Sequence, residues 1–355
     1  MMNRRQSLRV GLGVLSGMAG TGFLAMQSEV LHWQDKVFQG FGTTLRLQAA
    51  HTNRDILEQA LAAAVRAVQT VELQMSLFNP ESELSRLNAR GCLHQASAGL
   101  RDVLSLGAIM AERSHGAFDV STQPLWLAWS EWAQAQAQAH GHRPGATLSS
   151  AWQARIAAAR AKVDWRGVHL VGDEVYLRKG MALSLNGIAQ GYAADQAQAV
   201  LQAHGIAHAL IDTGETALLG HGSQGAWRLG LTSSASTMPV FQPDGRAVAS
   251  SSDDQTWFSA DHEHHHIWDP RTGYSPSHWS HVTVLSPRAV VADALTKVFF
   301  MSQPQEVNTL ATQWGVDVLM QDKRGQWLIT PGVKRLPDTV AVSPARSASP
   351  CLLHA

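Results

Sequence analysis

Residues 183–195 read LSLNGIAQGYAAD. Alternating leucines bring a strand into Asn186-Gly187, a dipeptide that turns the chain. The alanine-rich run behind it continues as a helix from Ile188 to His204, which Gly205 stops. The free N–H groups and the positive end of such a helix point at one spot, which suits a phosphate. Neither GxGxxG nor the GKS/T signature stands here, so the same residues read equally as ordinary turn chemistry. The stretch does decide the class of fold: strand, sharp turn and helix, followed by the short apolar runs AHALIDT and TALLG, make a mixed α/β chain.

Working outward, the strand candidate TTLRLQAA precedes a long amphipathic helix over Asn53 to Phe78, where Leu57, Leu61, Ala64, Val68, Val71, Met75 and Phe78 recur at three- and four-residue steps. Thr52 or Asn53 caps it, and Pro80 limits its continuation. A second helix is expected from Ser97 to about Arg113. Residues Glu131 to Ser150, poor in large apolar side chains, read as a surface insertion or a helix extension. The runs VHLV, EVYLR and MALSL read as strands before the opening stretch; AWRLGL, RAVASS and SHVTVLS read as strands after it. Helices over Val290–Met301 and Gln305–Trp314 and a closing hairpin VDVLMQDKRGQWLIT follow. No fixed-period repeat occurs. The expectation is a single large α+β domain over residues 28–335, with a β-rich centre flanked by helices.

Composition bounds the rest. The 355 residues are 45% hydrophobic with zero formal charge, enough to build a core. Arg4, Arg5 and Arg9 lie in the first 27 residues, so the body is mildly acidic, which argues against a nucleic-acid partner. Two cysteines, Cys92 and Cys351, exclude a disulfide framework. Residues 1–27 join a basic start to a glycine-studded apolar run shorter than the ~20 residues a membrane span needs, and read as an export signal. The Arg4-Arg5 pair resembles a twin-arginine signal, although Ser7 stands where Phe is usual. No Ala-x-Ala cleavage site follows, so an uncleaved membrane tether is one alternative and a disordered cytosolic start is another. The Pro-, Ser- and Ala-rich residues 336–355 read as a disordered tail.

Three further segments carry candidate chemistry. HGAFDVS, His115 to Ser121, is on its own a helix stop. VVADALTKVFF sets Asp293 in the expected first turn of a helix with Lys297 four residues on; Asp293 is there either a hard-cation ligand or half of a helix-surface ion pair. HEHHHIWDPRTGYS, from His262, offers four imidazoles and Glu263 within five residues, but adjacent residues of an extended chain alternate faces, which disfavours a closed metal site from this tract alone.

In order along the chain, FGTTLRL, MSLFNPESELSRLN, GAFDVSTQPL, LNGIAQGYAAD, LIDTGE, HHIWDPRTG and ADALTKVFF together resemble the ApbE family of FAD:protein FMN transferases, over roughly Phe38 to Thr330. The resemblance implies an exported α/β enzyme that moves FMN from FAD to a Ser or Thr hydroxyl of a partner flavoprotein, releasing AMP, with magnesium assisting. It implies FAD contacts from Phe41, Phe78, Ala117, Phe118, Asp119, Ser184, Gln190, Trp268 and Lys297. The cation is expected on Gly187, Asp293 and Thr296, and Lys297 is the departure there: protonated lysine is no metal ligand. Either Asp293 and Thr296 keep the cation, or the Lys297 ammonium sits near the phosphates as a point charge. His266 is the expected base because it stands at the family's recurrent His before Ile-x-Asp-Pro and because imidazole titrates near working pH, and Asp269 is the expected cap of the following turn. Gly214-Glu215, where Gly-Gly is frequent, resembles the branch linked to nitrous oxide reductase maturation, whose partner is a membrane electron-transfer protein. The competing expectations are an FAD-binding protein or FAD hydrolase of the same fold and, from the histidines alone, a transition-metal binder.

Overall fold

The helix expected after the first hairpin spans Arg54–Met75 in the computed structural model, which describes residues 30–140, 145, 147–231 and 239–335. Asn53 caps it, its side chain accepting from the N–H groups of Asp55 and Ile56. Leu57, Leu61, Ala64, Val68, Val71 and Met75 are buried, as their spacing requires, and this face packs on the helix Ala189–Ala203. Each such leucine or valine stabilises the fold by about 1.5–3 kcal/mol through burial. Beyond Met75 the chain turns extended at Ser76.

The described fold belongs to one compact unit, Leu31–Ala355. Its centre is an eight-stranded sheet in the order His32–Gly40, Thr43–His51, His208–Asp212, Thr216–Leu219, Ala247–Ser252, Trp279–Ser286, Asp317–Asp322 and Trp327–Ile329, with every pairing antiparallel. Leu45, Leu47 and Ala49 alternate onto one buried face and anchor the same core as the helices. The helix Ala289–Phe300 lies against the strands Ala247–Ser252 and Trp279–Ser286 and crosses the helix Ala189–Ala203. The crossing is tight: a Cβ on Gly191 would stand 2.4 Å from the Ala289 carbonyl oxygen, so only glycine fits. The mixed α/β expectation is met.

Several local expectations are corrected. MALSL forms no strand; Leu183 donates its N–H to Asn88 Oδ1 at 2.7 Å and accepts from Asn88 Nδ2 at 2.8 Å, so a side-chain amide does the pairing a neighbouring strand would have done. AWRLGL contributes only Leu229–Gly230 to a small sheet with Val240–Gln242 and Lys334–Arg335. Asp293 sits in the second turn of its helix, which begins at Ala289 rather than later. For the stretch read as a surface insertion or a helix extension, the extension holds over its first part: the helix Gln123–His140 with Ser150–Arg160 builds a second core around Trp129, Trp132 and Ile156. The export segment and the tail lie outside the described residues, as does Cys351. Among the described residues no helix is long and apolar enough to cross a membrane.

Candidate active site

Where the strand ends of the sheet meet the start of the helix Ala189–Ala203, a cavity of about 200 Å³ opens. Ala117, Phe118, Asp119, Ser184, Gly187, Gln190, His266, Trp268 and Lys297 all line it, so nine of the residues singled out from sequence come together from segments far apart in the chain. One side is aromatic. Trp268 stacks on Phe258 with ring centroids 6.0 Å apart and tilts against Trp126 at 6.1 Å, and Phe118 is buried beside them. Such a wall favours a planar apolar ligand.

The other side is polar and differs from a simple phosphate nest. The helix Ala189–Ala203 has no side-chain cap at Ile188, but its early N–H groups are already engaged. Ala189 N donates to the Leu185 carbonyl at 2.8 Å, and Gly191 N donates to Asp293 Oδ2 at 3.2 Å. A buried carboxylate of the chain itself therefore sits at the positive helix end. Its second oxygen, Oδ1, accepts from Lys297 Nζ at 2.7 Å, which also donates to the Asp293 carbonyl at 3.3 Å. The Lys297 stem lies against Gly187, where a Cβ would stand 2.9 Å from Cε.

These contacts correct the expected cation set. The Asp293 carboxylate is fully buried and divided between an amide and an ammonium. Thr296 Oγ1, also buried, donates to the Asp293 carbonyl at 2.7 Å and shares a 2.8 Å hydrogen bond with Ser251 Oγ. Neither Asp293 nor Thr296 lines the cavity, and no cluster of three or more metal-binding His, Cys, Asp or Glu occurs among the described residues. A hard divalent ion wants several free oxygens; the donor set Gly187, Asp293 and Thr296 does not fit one.

His266 lines the cavity with its ring partly exposed. Nδ1 stands 3.0 Å from the Thr256 carbonyl. A carbonyl can only accept, so Nδ1 carries the proton and Nε2 keeps its lone pair. Burial, and secondarily the Lys297 charge against the opposing Thr256 bond, lowers the imidazole from 6.5 to about 4. The expectation of titration near working pH is thus replaced: desolvation holds the ring neutral, ready to accept a proton. Its three neighbours in the tract diverge, His262 stacking on Trp257, His264 tilted against Trp129 and His265 tilted toward Phe300. Asp269 caps the next turn, accepting from Arg271 N at 2.8 Å.

Asp119, expected at the flavin, is occupied structurally. It accepts from Ser121 N, Ser121 Oγ and Trp165 N at 2.7, 2.6 and 3.0 Å, although burial raises its carboxyl. Gln190 Nε2 donates to the Thr213 carbonyl at 2.8 Å, which pins the Gly214-Glu215 turn; a Cβ on Gly214, at φ +95°, would collide with that amide. Phe41 and Phe78 do not reach the cavity wall. Phe41 is held in the hairpin turn by its N–H to Glu72 at 2.7 Å, and the exposed Phe78 ring lies over Gly42.

Sequence reasoning passed over Trp126, Ser251, Gln255 and, above all, Glu215 as cavity residues. Glu215 is buried, accepts from Ser250 N at 3.1 Å, and its carboxyl is pushed well above the usual range by desolvation and then by the Asp293 charge. Its signal was the acid in LIDTGE at the head of a buried strand, where an unpartnered charge is costly. A second cavity of about 160 Å³ shares Glu215, Ser250, Ser251 and Gln255 with the first, so the two are neighbours across these side chains.

An aromatic wall, a polar wall and an imidazole on one cavity give this α+β domain an open site for a ligand that is planar at one end and polar at the other. Residues 41–320 match the ApbE family, and the chain belongs to that family. It is 24% identical over 291 residues to the FAD:protein FMN transferase of Klebsiella pneumoniae strain 342, covering 76% of this chain and 80% of that relative. Among solved structures it resembles the flavin transferase ApbE from Vibrio cholerae, with TM-score 0.70, 22% identity, and 85% and 98% of the two chains covered. The ApbE protein of Thermotoga maritima gives TM-score 0.71 at 20% identity, covering 84% and 97%. At these identities the structural likeness establishes the fold.

Proposed function

We propose that this chain is an FAD:protein FMN transferase, and that His266 is its general base. The observation that carries the assignment of the base is the fixed tautomer of His266, neutral and with Nε2 left to accept, on the wall of a cavity with an aromatic side and a polar side that holds Lys297. A Ser or Thr hydroxyl of the acceptor protein attacks the riboflavin-side phosphorus of FAD. The new P–Oγ bond forms as the P–O bond of the pyrophosphate breaks, the hydroxyl proton passes to His266 Nε2, and AMP leaves. Trp268 and Phe118 hold the planar ring system, and the polar end orients the pyrophosphate.

The acceptor is a flavoprotein with a Ser/Thr flavinylation motif, and the Gly214-Glu215 pair favours a membrane electron-transfer protein as that partner. Residues 28–335 form the transferase domain. The basic, apolar residues 1–27 support export to the periplasm by the twin-arginine route, with the signal either cleaved or retained as a tether. Incubating the full chain with FAD and an acceptor carrying Asp-x-x-(Ser/Thr)-Gly-Ala-Thr tests the function. Flavin fluorescence on the denatured acceptor, with one AMP per flavin, is expected; free FMN with unlabelled acceptor would assign hydrolysis instead.

A further inference from the structure

Lys297 is the one cationic side chain that lines the main cavity among the described residues. A lysine paired with an aspartate four residues earlier contributes a few tenths of a kcal/mol on a helix surface, which would make the pair incidental. This pair is not on a surface: Asp293 is wholly buried, while the lysine side chain keeps about a quarter of its area exposed, toward the cavity. Two of the three ammonium N–H groups are accounted for, both by Asp293, one to Oδ1 and one to the carbonyl. The third is left for a ligand. The stem is immobilised between its own helix and Gly187, so ordering the ammonium for a ligand costs little further entropy.

Two of the three donors expected to hold a divalent ion meet this lysine, and the third does not. Asp293 binds it directly, Gly187 abuts its stem, and Thr296 is turned away into a bond with Ser251. We infer that the Lys297 ammonium is the resident cation of this site, standing where a divalent ion would stand and donating to the pyrophosphate of FAD. The inference rests on the transferase reading, and it makes FAD binding by this chain independent of divalent metal. Lysine is a compact point charge suited to phosphate oxygens, with no geometric requirement of its own.

The test measures FAD affinity of the full chain by quenching of flavin fluorescence, in excess EDTA and in excess magnesium. Wild type should bind equally in both, within about twofold, because its cation is covalent. Lys297→Met keeps the stem on Gly187 and removes the charge; it should weaken FAD about tenfold or more in EDTA, with thermal melting confirming that the variant is folded. Wild-type affinity that collapses in EDTA and returns with magnesium would overturn the inference while leaving the transferase reading intact, as would a folded Lys297→Met variant that binds FAD normally in EDTA. If Lys297→Met does not fold, the wild-type comparison decides alone. Failure of wild type to bind FAD in either condition would overturn both readings.

Discussion

His266→Asn separates proton transfer from binding. Asparagine places an amide N–H near the position of Nδ1, so the 3.0 Å bond to the Thr256 carbonyl can survive, while the lone pair of Nε2 is lost. With the imidazole lowered to about 4, about one molecule in a thousand is protonated at pH 7, against about a quarter for an unperturbed ring. Essentially every wild-type molecule therefore has its base available. Single-turnover transfer at limiting acceptor should be flat from about pH 5.5 to 8 and fall only in more acid solution. The variant should lose roughly 10²–10⁴-fold in transfer rate, with FAD affinity nearly unchanged. Transfer is followed by covalent flavin fluorescence on the acceptor after denaturation, and affinity by flavin quenching. A variant within a few fold of wild type removes His266 as the base. A wild-type profile with its midpoint near 6.5 refutes the argument from desolvation.

Three further outcomes are expected. His281, buried against Thr283 and lowered from 6.5 to about 4 by desolvation, binds protons better unfolded than folded, so its contribution to stability is complete only above pH 6.5 and is lost as pH falls toward 4. His281→Gln should lessen the loss of stability between pH 7 and pH 5 by about 2 kcal/mol; parallel urea curves for both proteins at the two pH values would count against it. Gly191→Ala drives a methyl into the Ala289 backbone at 2.4 Å and should cost about 3 kcal/mol or more, read as the urea midpoint; an unchanged midpoint would show that the two helices can separate. Trp268→Ala removes one aromatic face and should weaken FAD several-fold, up to about tenfold, by fluorescence titration; unchanged affinity would put the flavin elsewhere.

What the sequence revealed follows from range of interaction. The helix Arg54–Met75 was legible because its apolar spacing and its Asn53 cap are local, and the helix Ala189–Ala203 because a turn opens it and Gly205 stops it. The sheet order was not, since Thr43–His51 pairs with His208–Asp212 across more than half the core sequence, and nothing in either strand names the other. That the nine residues belong to one cavity was legible only through resemblance: Ser184, His266 and Lys297 share no local pattern that joins them. The failures share a cause too. MALSL looked like a strand until Asn88 supplied its bonds, and the base strength of His266 depended on burial that no one-dimensional reading contains. The fate of Asp293 turned on whether Lys297 points along the helix or away from it.

The contact at Gly191 has a consequence for how such a protein can change over generations. Backbone touches backbone there, so the helix that follows Gly187 and the helix that bears Lys297 hold a spacing that no side-chain substitution can gradually relax. His266, by contrast, hangs on the stretch between Ala247–Ser252 and Trp279–Ser286, which contributes no strand to the central sheet and whose bridge, Trp257 to His265, lies within the stretch itself. Divergence therefore has more room on one bank of the cavity than on the other: the half set by the two helices is inherited whole, and novelty enters through the loop that carries His266.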